Sequence, residues 1–179
     1  MSGFFHGVTV TNVDTGARSI ALPSSSIIGL VDTFTEGPTA TAKANDLVLI
    51  TSEREAVAAF GPASAITKAC RAIYARAKAV IVACGVANLV DPAEQTSAII
   101  GGVLVGGKRT GLQALLDGKS RFNAQPRLLV TPKHSATQAV GTALVALADK
   151  LRGVAIIDGP NTTDEAALDY AENFGAKRA

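Results

Sequence analysis

The sequence AVIVAC, residues 79–84, is apolar at every position and only six residues long. A short run of this kind is typical of a strand buried on both faces of a sheet. Four further segments predict strands: Ile27–Phe34, Leu47–Ile50, Arg127–Thr131 and Val154–Ile157. Strands that are apolar on both faces and alternate with helices form parallel crossovers. The sequence therefore predicts an α/β fold, with a mostly parallel sheet flanked by helices.

Helix-start signals lie between these strands. Ser52 and Glu55 have the spacing of a capping box, and Pro92 follows Asp91 at a first helical position. Ser135 is expected to serve as an N-cap. The predicted helices cover residues 52–60, about 64–77, 91–100, 110–118, 135–151 and 162–174, with Gly175 at the C′ position of the last.

The first part of the chain has a different pattern. Gly7–Asn12 alternates apolar and polar residues, as a half-buried strand does, and Arg18–Leu22 offers a second short extended piece. Residues 1–22 therefore predict an extended arm or hairpin, and residues 23–179 an α/β domain. Because an isolated two-stranded ribbon is marginal in water, the arm needs a partner surface, on this domain or on another chain.

Composition narrows the class of protein. Of 179 residues, 47% are hydrophobic and 18% are charged, so the chain is not of the disordered class. A net charge of +2 argues against electrostatic binding to nucleic acid or an acidic membrane as the main activity. No apolar run is long enough to cross a bilayer, and the first residues lack a secretory signal. The expected location is a cytoplasm.

Candidate catalytic or metal-binding groups are few. Cys70 and Cys84 both lie in apolar patterns and predict small core residues in a reducing compartment, not a disulfide. The two histidines, His6 and His134, have no Cys or carboxylate at metal-ligand spacing. We therefore expect no metal, no cofactor and no catalytic residue.

One segment resembles a phosphate-binding loop. Residues 102–109, GVLVGGKR, match the glycine and lysine spacing, but Arg109 stands where a Mg²⁺-binding Ser or Thr is required. The segment also follows a predicted helix, not a strand. A glycine-rich connector with Lys108 and Arg109 solvated is the favoured interpretation. A small-molecule or nucleotide-binding α/β domain remains the alternative.

The predicted carboxyl ends of the strands are the other place for a ligand. His134 and Asp158 follow consecutive strands and could meet there, but no nucleophile accompanies them. Asp158 and Asn161 are expected to hold a tight turn. The densest basic set is interpreted as the solvated side of one helix; it consists of Lys68, Arg71, Arg76 and Lys78.

Several stretches resemble contractile tail sheath proteins of R-type pyocins and related phages. They are residues 4–14 (FFHGVTVTNVD), 16–23 (GARSIALP), 110–127 (TGLQALLDGKSRFNAQPR) and 157–161 (IDGPN) with DEA at 164–166. The resemblance covers the whole chain and implies a subunit that polymerises as a helical sleeve around an inner tube. Contraction of the sleeve would drive the tube through a target cell envelope, with no cofactor.

The same resemblance implies partners and a boundary. Sheath subunits link through arms that add strands to a neighbour's sheet, which suits the unsupported ribbon. The residues to which we assign the linking are Gly7, Val8, Thr9, Val10, Thr11 and Asn12. The family continues beyond Arg178, so we expect an N-terminal portion, with the inner-tube contacts in the missing C-terminal part. Assembly is expected in the bacterial host cytoplasm, within a phage tail or pyocin particle.

Overall fold

A computed structural model describes residues 27–174. Five strands form one sheet in the order β2-β3-β1-β4-β5. The strands are β1 (Ile27–Phe34), β2 (Leu47–Ile50), β3 (Val80–Ala87), β4 (Leu128–Val130) and β5 (Val154–Ile156). β1 pairs in parallel with β3 and β4, and β4 with β5, whereas β2 is antiparallel to β3. The predicted α/β fold with a mostly parallel sheet is confirmed.

Six α-helices and two 3₁₀ helices accompany these strands in the described part of the chain, and the last α-helix follows the last strand. The α-helices are α1 (Glu53–Phe60), α2 (Ala65–Tyr74), α3 (Pro92–Ile100), α4 (Gly118–Phe122), α5 (Gln138–Leu151) and α6 (Asp164–Glu172). Ser52, Ser64, Asp91 and Thr163 cap α1, α2, α3 and α6 through their side chains. At the start of α1, the Glu55 carboxylate does not accept from the amide of the N-cap residue Ser52. It accepts from the Thr51 N–H, at 2.7 Å.

Several predicted boundaries were wrong, including both ends of β4, which was predicted over Arg127–Thr131. β3 continues three residues past Cys84, and α2 ends at Tyr74 instead of Ala77. The helix predicted to end at Gly118 is a 3₁₀ helix, Gly111–Asp117, from which α4 continues. Ser135 does not cap α5; it lies in the 3₁₀ helix His134–Ala136, and Thr137 takes the N-cap position. Tertiary partners hold the Ser135 hydroxyl, as described below.

The two faces of the sheet carry separate cores. On one face, α1 and α2 bury Leu30, Ile50, Ile81 and Ala83 with Phe60. On the other face, α3, α5 and the first 3₁₀ helix cover all five strands, including Leu129 of β4 and Ala155 of β5. The helices are therefore distributed unequally, because the main strand contacts of α1 and α2 are with β1, β2 and β3.

α6 lies against α5 at a position that requires glycine. A Cβ on Gly141 would come within 2.6 Å of the Tyr170 hydroxyl and 2.9 Å of the Phe174 ring. Tyr170 and Phe174 meet edge to face, with ring centroids 5.1 Å apart, and the Tyr170 hydroxyl donates to the Ser135 carbonyl. The last described helix is thereby fixed on the α5 side of the sheet.

Candidate functional site

The strand order changes direction at the carboxyl ends of β1 and β4. From β1 the chain passes to β3 on one side, then crosses to β4 on the other. In open α/β sheets such a switch point is the usual place for a ligand. Here it contains Asp32, which is 4% exposed, and Thr131, which is fully buried. This edge is therefore the first candidate place for a site.

The predicted meeting of His134 and Asp158 is not what the structure contains. His134 Nε2 lies 3.5 Å from Asp32 Oδ1 instead. The Asp158 carboxylate accepts from the Lys133 N–H at 2.9 Å, and the Asp158 N–H donates to Ser135 Oγ at 2.9 Å. Asp158 thus ties the segment after β5 to the segment after β4, where a local turn with Asn161 was predicted. These hydrogen bonds hold two loops together and leave Ser135 Oγ engaged.

Asp32 is the residue that sequence reasoning missed at this edge. It follows Val31 inside a strand whose other positions are mainly apolar, and its carboxylate also accepts from the Thr33 N–H at 2.7 Å. A single acid in a buried strand was the available signal. Among residues 27–174, no group of three or more His, Cys, Asp or Glu could hold a metal ion.

The two cysteines lie on opposite faces of the sheet and are both free. Burial raises the pKa of the Cys70 thiol to about 12, with the Asp32 carboxylate adding to the effect. Burial likewise raises the pKa of Cys84 to about 12. A thiol with such a pKa remains protonated and is a poor nucleophile. The predicted role as small core residues is confirmed.

The glycine-rich segment forms a hairpin, not a phosphate loop. Val103 and Arg109 make an antiparallel bridge, and the Leu104 N–H donates to the Lys108 carbonyl at 2.8 Å. The segment follows α3 and leads into the first 3₁₀ helix, so no strand precedes it. Gly106 and Gly107 turn the chain with positive φ. The connector interpretation is confirmed.

Lys108 and Arg109 are more engaged than predicted. Lys108 Nζ donates to Asp46 Oδ1 at 2.8 Å, and Arg109 pairs with Asp117. Both basic side chains are only about half exposed, at 50% and 40%. The Lys108 ammonium holds the pKa of Asp46 below its usual value. These pairs anchor the hairpin to the residue before β2 and to the 3₁₀ helix.

The predicted basic helix face is only partly helical. Lys68 and Arg71 belong to α2, whereas Arg76 and Lys78 follow its end. All four are exposed, and Arg71 Nε donates to Glu53 at 2.7 Å. Exposed cations that share a single ion pair among the described residues fit a solvated surface.

One surface groove is lined by apolar side chains alone. It lies beside α2 on the face of the sheet that α1 and α2 cover only in part, and its volume is about 350 Å³. The side chains that line it are all apolar. The floor consists of Ile28, Leu30, Leu128, Val130 and Ile156, and the walls include Ala69, Ala72, Ile73 and Pro132. Val154 and Ile156 of β5 are 46% and 50% exposed.

The predicted linking residues Gly7 to Asn12 and the lone His6 lie outside the described residues. The same is true of the Gly175 expected after the last helix. Within the described part, no helix is both long and apolar enough to cross a membrane.

Comparisons with known proteins converge on one family. Residues 25–83 match the family model described as the tail sheath protein Gp18 domain III N-terminal region. The chain is 68% identical over 175 residues to a putative prophage major tail sheath protein of Pseudomonas aeruginosa. It is 32% identical over 185 residues to the tail sheath protein of Escherichia phage P2, and 30% identical over 182 residues to the major tail sheath protein of Serratia phage KSP20.

The extent of these matches is as informative as their identity. They cover 97–99% of this chain but only 45–46% of each of those three relatives. The chain therefore spans about half the length of the curated relatives that it matches.

Proposed function

The chain belongs to the tail sheath protein family, and from that membership we propose that it forms part of a structural subunit of a contractile tail sheath. In this proposal the complete polypeptide polymerises as a helical sleeve around an inner tube. Contraction of the sleeve drives the tube through a target cell envelope. The observation that carries the proposal is the 68% identity over 175 residues to a prophage sheath protein.

The chemistry of the described residues supports a structural role without catalysis. At the switch point Ser135 Oγ accepts from a backbone amide, and the Asp158 carboxylate accepts from another. Both thiols are buried and protonated at neutral pH. The nucleotide-binding alternative rested on residues 102–109, and these form a hairpin tied down by two ion pairs. It is not retained.

Residues 1–22 are proposed to link one subunit to the next, and residues 23–179 to form the α/β domain that carries this arm. Alternation over Gly7–Asn12 would give the arm one apolar face, which suits addition of a strand to a neighbour's sheet. The proposed partners are other sheath subunits and an inner tube protein. The tube would be contacted by the part of the polypeptide that relatives carry outside this match. We place assembly in the host cytoplasm, with no nucleic acid or membrane partner.

Deleting residues 2–22 from a sheath polypeptide of full family length tests the linking role. We expect a folded monomer, seen by circular dichroism and size-exclusion chromatography, that builds no sleeves in electron micrographs. A double substitution, Val8→Asp with Val10→Asp, should have the same effect because it places charges on the apolar face of the proposed strand. The matched control, Thr9→Ser with Thr11→Ser, should still assemble. Normal sleeves from the deletion variant would refute the linking role.

A further inference from the structure

The turn after β4 has a strained backbone conformation. Lys133 has φ 64° and ψ −37°, and the His134 N–H donates to the Pro132 carbonyl at 2.7 Å. This geometry is close to the γ-turn of the rare, strained hand. Asn123 and Arg152 also have positive φ, but their ψ values of 26° and 41° place them in the ordinary left-handed region. Strain of the Lys133 kind persists only where surrounding contacts hold it.

The contacts that hold the turn come from distant parts of the chain. The Asp158 carboxylate accepts from the Lys133 N–H at 2.9 Å, and the Asp158 N–H donates to Ser135 Oγ at 2.9 Å. The Ser135 carbonyl accepts from the Tyr170 hydroxyl of α6. Burial raises the pKa of the Tyr170 hydroxyl, and the Asp158 carboxylate adds to the effect. A continuous series of contacts therefore runs from α6 to the strained residue.

α6 itself is loosely attached to the domain. Within its described extent, Asp164–Glu172, no residue is buried. Its attachment includes the rings of Tyr170 and Phe174, which pack against Gly141 of α5. Elements with little buried apolar surface open locally at a lower free energy than the core of a protein. α6 is therefore suited to undock while the sheet stays folded.

We propose that α6 and the turn Pro132–His134 form one conformational latch, in which docking of α6 locks the turn in its strained form. When α6 undocks, the series of contacts breaks at Tyr170 and the turn relaxes to ordinary backbone. Ser135, which is 1% exposed, then becomes accessible, and His134 is free to leave Asp32. α6 thereby acts as a strap over the polar residues at the switch point. The latch does not depend on the sheath role, so its test needs no sleeves.

Amide hydrogen exchange of the 179-residue chain, followed by NMR, tests the latch. The His134 amide reports on the turn, the Ala171 amide on α6, and the Val82 amide of the central strand β3 on global unfolding. In the unmodified chain, His134 and Ala171 should share one opening constant to within about threefold. The Val82 amide should be protected at least about 100-fold more strongly.

Removing one hydroxyl from α6 should open the turn. Tyr170→Phe should speed exchange at His134 by about 10-fold without changing exchange at Val82. The matched control is Tyr74→Phe, because the Tyr74 hydroxyl also donates to a backbone carbonyl, at 3.1 Å, on the other face of the sheet. That control should leave exchange at His134 unchanged.

A second substitution tests whether the contacts act as one unit. Asp158→Ala removes the carboxylate that holds Lys133, and it should speed exchange at His134 by about 10-fold as well. The double variant with Tyr170→Phe should exchange little faster than either single variant, because breaking one contact already opens the latch. Independent contacts would instead multiply to about 100-fold.

Relieving the strain should have the opposite effect. Glycine adopts positive φ without a steric penalty, so Lys133→Gly favours the docked form. Exchange should slow by about fivefold at both His134 and Ala171, since the turn and the helix are linked. Lys78→Gly is the matched control, at an exposed position without positive φ, and should change neither.

Four results would overturn the proposal. The first is faster exchange at Ala171 but not at His134 in the Tyr170→Phe variant, which would show that helix and turn open separately. The second is a multiplied effect in the double variant. The third is faster exchange at His134 in the Lys133→Gly variant. The fourth is equal acceleration at Val82, which would show a global loss of stability.

Discussion

The two halves of the sheet share a strand chemistry but differ in cover. Leu30, Ile50 and Ile81 beneath α1 and α2 are 0% exposed, whereas Val154 and Ile156, equally apolar and on β5, are about half exposed. The covered half owes its order to helices that follow the strands directly in the sequence. The half that contains β5 has no such helix on this face among residues 27–174. Apolar strand residues therefore predict that a sheet face is to be buried. They do not show whether a helix of the same stretch of chain covers it.

The largest difference between the halves should appear on truncation of a large side chain. Phe60 is 1% exposed and meets Phe34 edge to face, with centroids 5.3 Å apart. Phe60→Ala should lower the free energy of unfolding by about 3–5 kcal/mol, since it removes buried area and leaves a cavity. Ile156→Ala should lower it by less than about 1 kcal/mol, because the side chain is already half in water. Urea denaturation measures both; equal losses would mean that the halves are equally covered.

A smaller effect is expected from adding one methyl group to the covered half. A Cβ on Gly85 would lie 2.6 Å from Phe34 Cδ1 and 2.7 Å from Phe60 Cε1. Gly85→Ala should therefore destabilise the protein by about 1–3 kcal/mol through overpacking. At Gly37 nothing lies within 4 Å of a built Cβ, so Gly37→Ala should be neutral to within about 0.5 kcal/mol. Thermal unfolding compares the two, and a neutral Gly85→Ala would show that the aromatic pair can move aside.

Two buried threonines, one beside each half, differ in whether the side-chain hydroxyl has a hydrogen-bond partner. Thr67 Oγ1 donates to the Gly61 carbonyl at 2.7 Å, whereas Thr131 Oγ1 has no hydrogen-bond partner among the described residues. Both residues are 0% exposed. Valine has nearly the same shape as threonine. Thr131→Val should therefore stabilise the protein by about 1 kcal/mol, and Thr67→Val should destabilise it by about 1–3 kcal/mol. The same sign for both, in urea titrations, would contradict this contrast.

Local signals predicted several strand bounds and helix starts well. The bounds of β1 and β2 were predicted correctly, and Ser52 and Asp91 cap the helices that they were expected to begin. These features depend on neighbours a few residues away, which the sequence displays directly. α2 ends at Tyr74, three residues before the predicted end. After it, the Arg76 and Ala77 amides both donate to the Ile73 carbonyl. No glycine or proline marks this end in the sequence.

Features that depend on distant partners could not be predicted. Ser135 looked like an N-cap, but its hydroxyl accepts from Asp158, 23 residues away. From the sequence, His134 and Asp158 could meet because both follow strands, whereas the sheet order places β1, and with it Asp32, beside β4. The groove could not be predicted for a related reason. Val154 and Ile156 have the apolar pattern of any buried strand. Only the sheet order and the helix positions show that their outer face is bare.

The smallest expected effect is on the pH dependence of the unfolding free energy. It compares Glu55, whose partners are neutral, with Asp46, whose partner is charged. Hydrogen bonds from the Thr51 amide and hydroxyl hold the pKa of Glu55 below its ordinary value. The Lys108 ammonium does the same for the pKa of Asp46. A carboxylate whose pKa is lower in the folded state stabilises the fold above its unfolded pKa, about 4 for both groups. That stability is lost as the pH falls through the folded value. Replacing either by its amide should therefore flatten the decline in unfolding free energy below about pH 4.5.

Salt distinguishes the two cases. In 1 M NaCl the Debye length is about 3 Å, so the effect of Asp46→Asn, which depends on an exposed ion pair, should largely disappear. The effect of Glu55→Gln should persist, because its partners are a neutral amide and a hydroxyl. Urea titrations at pH 3, 4, 5 and 7, at low and high salt, measure both. Equal salt sensitivity would mean that Glu55 also depends on a charge, and the cap at the start of α1 would need another explanation.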